Sequence, residues 1–304
     1  MILNTRLVSL IKLCRPEQYI KNIFIFIPLF FAGKVTDIGL FSITFITFIA
    51  FSISSSAVYI FNDVMDLEDD KQHPNKKNRP LASGDIHKSH ANVLMIVMLI
   101  LGSVAMALIS TKATIFLACY FLINILYSSF LKKFAIVDVN IIAIGFILRL
   151  FIGSAVTDID LNKWIIIMTF LLALFMALAK RRDDVIIFLD TGKVMRKALN
   201  GYNLQFLDAA MSIMASVVIV SYTIYVSSPE LEEKFNSNYL YLTTFFVILG
   251  IMRYLKIAFL HRSSGSPTKI LRTDLFMQLT LIGWMLTFSS VSYTHLTLPT
   301  NREV

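Results

Sequence analysis

Asn62 to Gly84, NDVMDLEDDKQHPNKKNRPLASG, holds the densest chemistry in the chain. Five acidic residues fall within eight positions (Asp63, Asp66, Glu68, Asp69, Asp70), and Lys71, Lys76, Lys77 and Arg79 follow them. On a helix, the i, i+3, i+7 spacing of Asp63, Asp66 and Asp70 stacks three carboxylates on one face, about a turn apart. Like charges that close destabilise each other unless a cation sits between them. Hard oxygen ligands suit Mg²⁺, which keeps few protein carboxylates and completes its shell with water and substrate phosphates. The expected chemistry is therefore a magnesium-bridged diphosphate at a membrane surface. The competing expectation is a solvated charged loop that follows a transmembrane helix.

The elements that must position these groups are apolar. Of 304 residues, 56% are hydrophobic and 16% charged, with a mean hydropathy of +0.70. That composition excludes a soluble domain and predicts an all-α polytopic membrane protein. Nine transmembrane helices are expected, roughly at 20–35, 38–60, 91–110, 113–131, 136–156, 162–180, 206–227, 237–258 and 274–290. The first is short and contains Pro28, which softens its boundaries. With a cytoplasmic N-terminus, the inner segments carry 21 Lys and Arg and the outer loops before the tail only four, Lys34, Lys112, Lys163 and Lys234. This asymmetry accounts for most of the +8 net charge without nucleic acid as a partner. The first apolar run has no small-residue cleavage site, so no cleavable signal peptide is expected. Cys14 and Cys119 offer neither a disulfide framework nor metal-ligand spacing.

The same topology puts Asn62–Gly84 and a second loop, KRRDDVIIFLDTGKVMRKALNGYN from Lys180, on the cytoplasmic side, where both could close over one site. A phosphate-rich substrate carries more negative charge than one magnesium neutralises, so further fixed cations are needed, preferably Arg. Lys180 and Arg181, with Asp184 one turn on, are candidates, as are Lys21 and Asn22 at the start of the first span. Singly, each Lys or Arg of the second loop is better explained as a membrane-surface anchor. Within the fifth span, Arg149 lies three turns from Asp138. Intramembrane charges usually face a bundle interior, so Arg149 is expected either to touch substrate or to form a structural ion pair. Asn124, Tyr127 and Ser128 on the fourth span are candidates to line the same cavity.

These residues carry a resemblance. NDxxDxxxD, here Asn62, Asp63, Asp66 and Asp70, trailed by KNRPLASG at Lys77 to Gly84, resembles the first aspartate-rich motif of the UbiA superfamily of intramembrane polyprenyl transferases. The superfamily's usual second motif, DxxxD after the sixth span, is replaced here by AKRRDD. That pattern is similar to the polyprenyl-phosphate (decaprenyl-phosphate) phosphoribosyltransferase branch. So are RPEQYIKN at Arg15, DVNIIAIGFILR at Asp138, MRKALNGYN at Met195 and GSPTKILRTD at Gly265. The likeness runs from about residue 12 to 290, with Asp184 standing where the branch typically has Glu.

The resemblance implies a UbiA-type bundle in a bacterial cytoplasmic membrane, with its active site facing the cytoplasm. It implies transfer of 5-phosphoribose from 5-phosphoribosyl 1-diphosphate to a polyprenyl phosphate lipid, with release of diphosphate. Asn62, Asp63, Asp66 and Asp70 would hold Mg²⁺. Lys21, Asn22, Arg79, Lys180 and Arg181 would hold or orient substrate, with Tyr127, Arg149, Asp184 and Arg196 as further contacts. No general base is nominated, since a phosphate oxygen needs no strong base to attack and positioning can carry the rate. Two alternatives stay open: an aromatic prenyltransferase with a polyprenyl diphosphate donor, as in quinone or haem biosynthesis, and a non-enzymatic membrane transporter or scaffold.

From Val291 the chain reads VSYTHLTLPTNREV and stops being apolar partway through the ninth span. VSYTHLTLPT resembles the translated end sequence and adaptor of a transposon-based sequencing library. Residues 1–290 are accordingly expected to form a single transmembrane transferase domain, and 291–304 to be a read-through sequence rather than native.

Overall fold

The computed structural model describes residues 2–72, 76–192, 201–260 and 267–293, and the elements assigned among them are all helical. Among the described residues, eight helices are long and apolar enough to cross a membrane. The chain divides into two compact units, 1–161 and 162–304.

The first unit begins with α1 (Ile2–Cys14), and Arg15 then takes a left-handed conformation, φ 54°. Pro16–Phe26 follows as a 3-10 helix of 11 residues, leading into a short α2 (Ile27–Phe31). The expected first span is thus not a regular α-helix. Pro16 and Pro28 remove backbone donors near the start of each piece, and a 3-10 run this long is uncommon. It is held by side chains: Tyr19 Oη lies 2.8 Å from Ser56 Oγ, and Asn22 donates to Ser52 Oγ at 2.9 Å.

Helix α3 (Ile38–Met65) starts where the Asp37 carboxylate accepts the Leu40 N–H at 3.0 Å. Its 28 residues reach about 42 Å, longer than an ordinary hydrocarbon core. Its middle is small and polar, with Ser52, Ser55 and Ser56 on one face and Ser54 on the other, all buried. Small residues let backbones approach. A Cβ on Gly102 of α5 (Lys88–Ile109) would meet Ser54 Oγ at 2.1 Å, and one on Gly153 of α7 (Val137–Thr157) would meet Ile25 O at 2.0 Å. Those contacts, with α6 (Thr111–Ser129) between, close a core around Phe51, Met106, Leu117, Tyr120 and Ile152. Val93, Ile96, Ile100, Val104 and Leu108 stay exposed on α5, as a lipid-covered surface requires.

The carboxylates sit where α3 gives way to α4 (Leu67–Gln72). The helix breaks at Asp66 instead of running through Asp70 as the spacing predicts. The break is one residue deep: Asp66 N–H still donates to Asn62 O at 2.9 Å, and Asp70 N–H to Asp66 O at 2.8 Å. Helical order of the three aspartates survives, while Asp66 turns away from the partner that Asp63 and Asp70 share.

In the second unit, α8 (Lys163–Thr191) runs well past the expected end at 180 and stops at Gly192, φ 66°. Lys180 to Asp190 is helix rather than loop, because its apolar residues Val185 and Ile186 have a buried face to fill. The unit continues with α9 (Leu204–Val226), α10 (Pro229–Phe235), α11 (Thr243–Leu260), α12 (Pro267–Thr273) and α13 (Leu275–Tyr293). Of the expected read-through segment, Val291–Tyr293 continue α13, and 294–304 lie outside the described residues.

Candidate active site

The first unit carries a layered polar site. Its outer layer is an ion network around the buried Asp63 and Asp70, 3% and 1% exposed. Asp63 Oδ1 accepts from both Arg15 and Arg79, the latter at 3.0 Å, and the same Arg79 nitrogen also reaches Asp70 Oδ2. Lys76 Nζ stands 3.6 Å from Asp70 Oδ1, which has no hydrogen-bond partner. Asp66 turns to Lys132, and Ser128 donates to Asn62 Oδ1. Among the described residues, no three His, Cys, Asp or Glu side chains gather as a metal-ligand set; each of the three aspartates is met by a cation.

Burial pulls the Arg15 guanidinium below the ordinary arginine range, and Asp63 opposes that shift. Its reference value is so high that Arg15 stays charged. Four cations, Arg15, Lys76, Arg79 and Lys132, therefore face three carboxylates and give this layer a positive excess.

The inner layer is built on Arg149, 4% exposed in α7. Its Nε donates to Asn22 Oδ1 at 2.9 Å, and its terminal nitrogens to Gly145 O at 2.6 Å and Tyr120 Oη at 3.3 Å. The guanidinium also lies over Phe51, Tyr120 and Phe146 at 4.9, 5.0 and 5.3 Å. The structural ion pair weighed as one explanation is not formed, since Arg149 has no carboxylate partner among the described residues. Asp138 is buried in the first turn of α7, three turns away. Asn22 ties the layers to α3 by donating to Ser52 at 2.9 Å and Ser55 at 3.3 Å. Lys21 is half-buried and close enough to feel the charges of Arg149 and Arg15. Tyr127 is half-buried on α6, one residue before Ser128.

The structure thus brings Asn62, Asp63, Asp66, Asp70 and Arg79 together in the outer layer, and Lys21, Asn22 and Arg149 in the inner one. Lys180, Arg181 and Asp184 belong to the second unit. There Arg181, 1% exposed, donates to Asp184 Oδ2 at 3.0 Å, and Lys180 is exposed. Arg196 lies outside the described residues. Arg15 and Lys132 join the outer layer by their ion pairs, though sequence reasoning passed over them as a loop cation before a proline and one of two adjacent lysines. The one available signal for Arg15 was its place at the head of RPEQYIKN.

The profile of the UbiA prenyltransferase family matches residues 22–282. The chain belongs to that family. It is 26% identical to a decaprenyl-phosphate phosphoribosyltransferase of Mycolicibacterium smegmatis, over 94% of this chain and 92% of the relative. It is 25% identical to the enzyme so named in Mycobacterium tuberculosis, over 92% of each. In structure it superposes on a UbiA homologue of Archaeoglobus fulgidus bound to DMAPP and Mg²⁺, with a TM-score of 0.67, 16% identity, and coverage of 93% of this chain and 98% of that one. The fold is therefore the UbiA fold, and the chain is a multi-pass membrane protein.

Proposed function

We propose that this UbiA-family protein transfers 5-phosphoribose from 5-phosphoribosyl 1-diphosphate to a polyprenyl phosphate in a bacterial cytoplasmic membrane. Relatives so named across more than nine-tenths of the chain support the reaction class. The observation that carries the choice of donor is the AKRRDD run on α8, which stands where a second DxxxD pair is expected for a lipid diphosphate donor. Transfer from a polyprenyl diphosphate to an aromatic ring would be expected to bring a second free aspartate pair there. The Lys and Arg that stand in its place supply positive charge for a substrate with more phosphate instead.

The donor set fits Mg²⁺. Asp63 and Asp70 are hard oxygen donors that converge on one cation, Arg79, and Asp70 Oδ1 is buried without a hydrogen-bond partner. Asp63 and Asp70 would hold the ion, with Asp66 and Asn62 beside them. When bound, the metal neutralises charge building on the departing diphosphate. The chain's own residues do the rest. Arg15, Arg79 and Lys76 supply fixed positive charge to the diphosphate, needing no reorganisation as it leaves. Ser128 holds Asn62, and Asn22 holds Arg149 in place. A phosphate oxygen of the lipid attacks the anomeric carbon as the bond to diphosphate breaks, and the electron pair leaves with diphosphate. Roles for Lys180, Arg181, Asp184, Tyr127 and Arg196 in holding phosphate rest on the sequence resemblance.

Membranes containing the protein, given polyprenyl phosphate, Mg²⁺ and radiolabelled phosphoribosyl diphosphate, should form a labelled lipid. Absence of label in membranes that prenylate a quinone precursor would overturn the assignment.

A further inference from the structure

Helix α3 carries a ladder along one face: Ser52, Ser55 and Ser56, then Tyr59, then Asp63, each about a turn from the last. The rungs above and below Tyr59 are occupied. Asp63 takes Arg15 and Arg79, and the serines take Asn22 and Tyr19. Tyr59 has the Arg15 guanidinium over its ring at 5.6 Å, yet its hydroxyl makes no hydrogen bond among the described residues. Arg149, Arg15, Tyr120 and Tyr19 lie within electrostatic reach of that hydroxyl. Lys21, from the 3-10 helix, likewise has no hydrogen bond or ion pair among the described residues, and its charged neighbours are the cations Arg149 and Arg15.

Grouping cations this way is costly. Like charges in a partly desolvated site repel, and a buried charge is normally paired. Arg149 is satisfied by neutral oxygens and three aromatic faces, which compensate its desolvation but leave its charge unbalanced. The acidic side chains of the outer layer cannot balance it, since Asp63, Asp66 and Asp70 are already held by Arg15, Arg79 and Lys132. Two fixed cations without a carboxylate and one uncommitted neutral donor are complementary to a dianion that accepts several hydrogen bonds. A phosphate monoester meets that description.

We propose that Lys21, Tyr59 and Arg149 form a second, metal-independent subsite for a phosphate monoester, one to two helical turns deeper than the aspartate cluster. Tyr59 is the new member, a donor that adds no charge and is positioned by the Arg15 that grips Asp63. The inference deepens the transferase assignment and rests on it for the source of the phosphate. Two substrates could supply a monoester: the lipid head, or the 5-phosphate of the sugar donor.

The test is binding without metal. The full chain, purified in detergent with EDTA, is titrated with farnesyl phosphate in one arm and ribose 5-phosphate in the other. One of the two should bind, identifying the source. Lys21→Gln should weaken that binding roughly tenfold or more, as loss of a charge-assisted hydrogen bond does. Tyr59→Phe should weaken it a few-fold, and Asp66→Ala should leave it within about twofold, since Asp66 belongs to the other layer. Lys21→Arg, which keeps the charge, should recover part of the affinity and guards against misfolding as an explanation. No metal-free binding of either probe, or binding that ignores both Lys21→Gln and Tyr59→Phe, would overturn the subsite. These results are separate from turnover: a protein that transfers phosphoribose yet binds neither probe refutes the subsite alone. One that binds through Lys21 but transfers nothing supports the subsite and refutes the transferase assignment.

Discussion

The two units use the same charged residues in opposite ways. In the second, Arg182 donates to Asp208 at 2.6 Å and to Ala258 O at 2.5 Å, and Arg253 grips both oxygens of Asp274 at 3.2 and 2.7 Å. In these two pairs each arginine has one carboxylate and each carboxylate one arginine. In the first, Asp63 is shared by two arginines, Arg79 is shared by two aspartates, Asp70 Oδ1 accepts no hydrogen bond, and Arg149 has no carboxylate partner among the described residues. A pair that closes on itself fastens helices. A network whose charges do not close is arranged for something that binds.

That contrast can be broken by mutation. Asp63→Asn keeps the shape but removes the charge that Arg15 and Arg79 share. Turnover should fall on the order of 10³-fold, the loss of several kcal/mol of transition-state stabilisation. Melting temperature should fall as well, because Arg15 and Arg79 lose the charge they share; a fall in melting temperature with activity per folded molecule intact would make Asp63 merely structural.

Gly153→Ala should act on both layers indirectly, because the new Cβ would meet Ile25 O at 2.0 Å and push on the segment carrying Lys21 and Asn22. Overpacking of this kind costs about 1–3 kcal/mol. Melting temperature and activity should drop together, and a variant that loses neither would show that the close approach is not needed.

Arg182→Met should spare the activity that Asp63→Asn removes. Breaking a largely buried pair destabilises, here by about 1–2 kcal/mol once the exposure of Asp208 is discounted. Activity per folded molecule should stay within about threefold of the parent. Adding Asp208→Leu should recover part of the lost stability, because no carboxylate is then left without its partner.

The smallest effect concerns pH. The hydrogen bond from Arg253 holds the Asp274 carboxyl below the usual carboxylate range. A depressed pKa stabilises above the unfolded value and loses that contribution as pH falls through the folded value. Melting temperature should therefore decline below about pH 4, and Arg253→Gln should flatten that acid limb slightly.

Much of this was legible in the sequence. Apolar runs near 20 residues give the helices, and NDxxDxxxD with KNRPLASG marks the outer layer. The first span was misjudged because hydropathy counts Ile23–Phe31 as one run, whereas Pro16, Pro28 and the Asn22 contacts impose a 3-10 path. The end of α8 was misjudged for the opposite reason, as charge at Lys180–Asp184 suggests a loop while Val185 and Ile186 keep the helix going. Arg15 and Lys132 were hidden because membrane-surface cations are common, and only tertiary contact separates an anchor from a ligand. Tyr59 was hidden because a tyrosine near a membrane interface is ordinary.

The central claim is that the sugar, and not the lipid, brings the diphosphate. Purified protein with Mg²⁺ should be given polyprenyl phosphate plus phosphoribosyl diphosphate in one reaction, and polyprenyl diphosphate plus an aromatic acid in another, with products identified by mass spectrometry. A phosphoribosyl lipid from the first and no prenylated ring from the second is the predicted result. A prenylated ring with no phosphoribosyl lipid would contradict it.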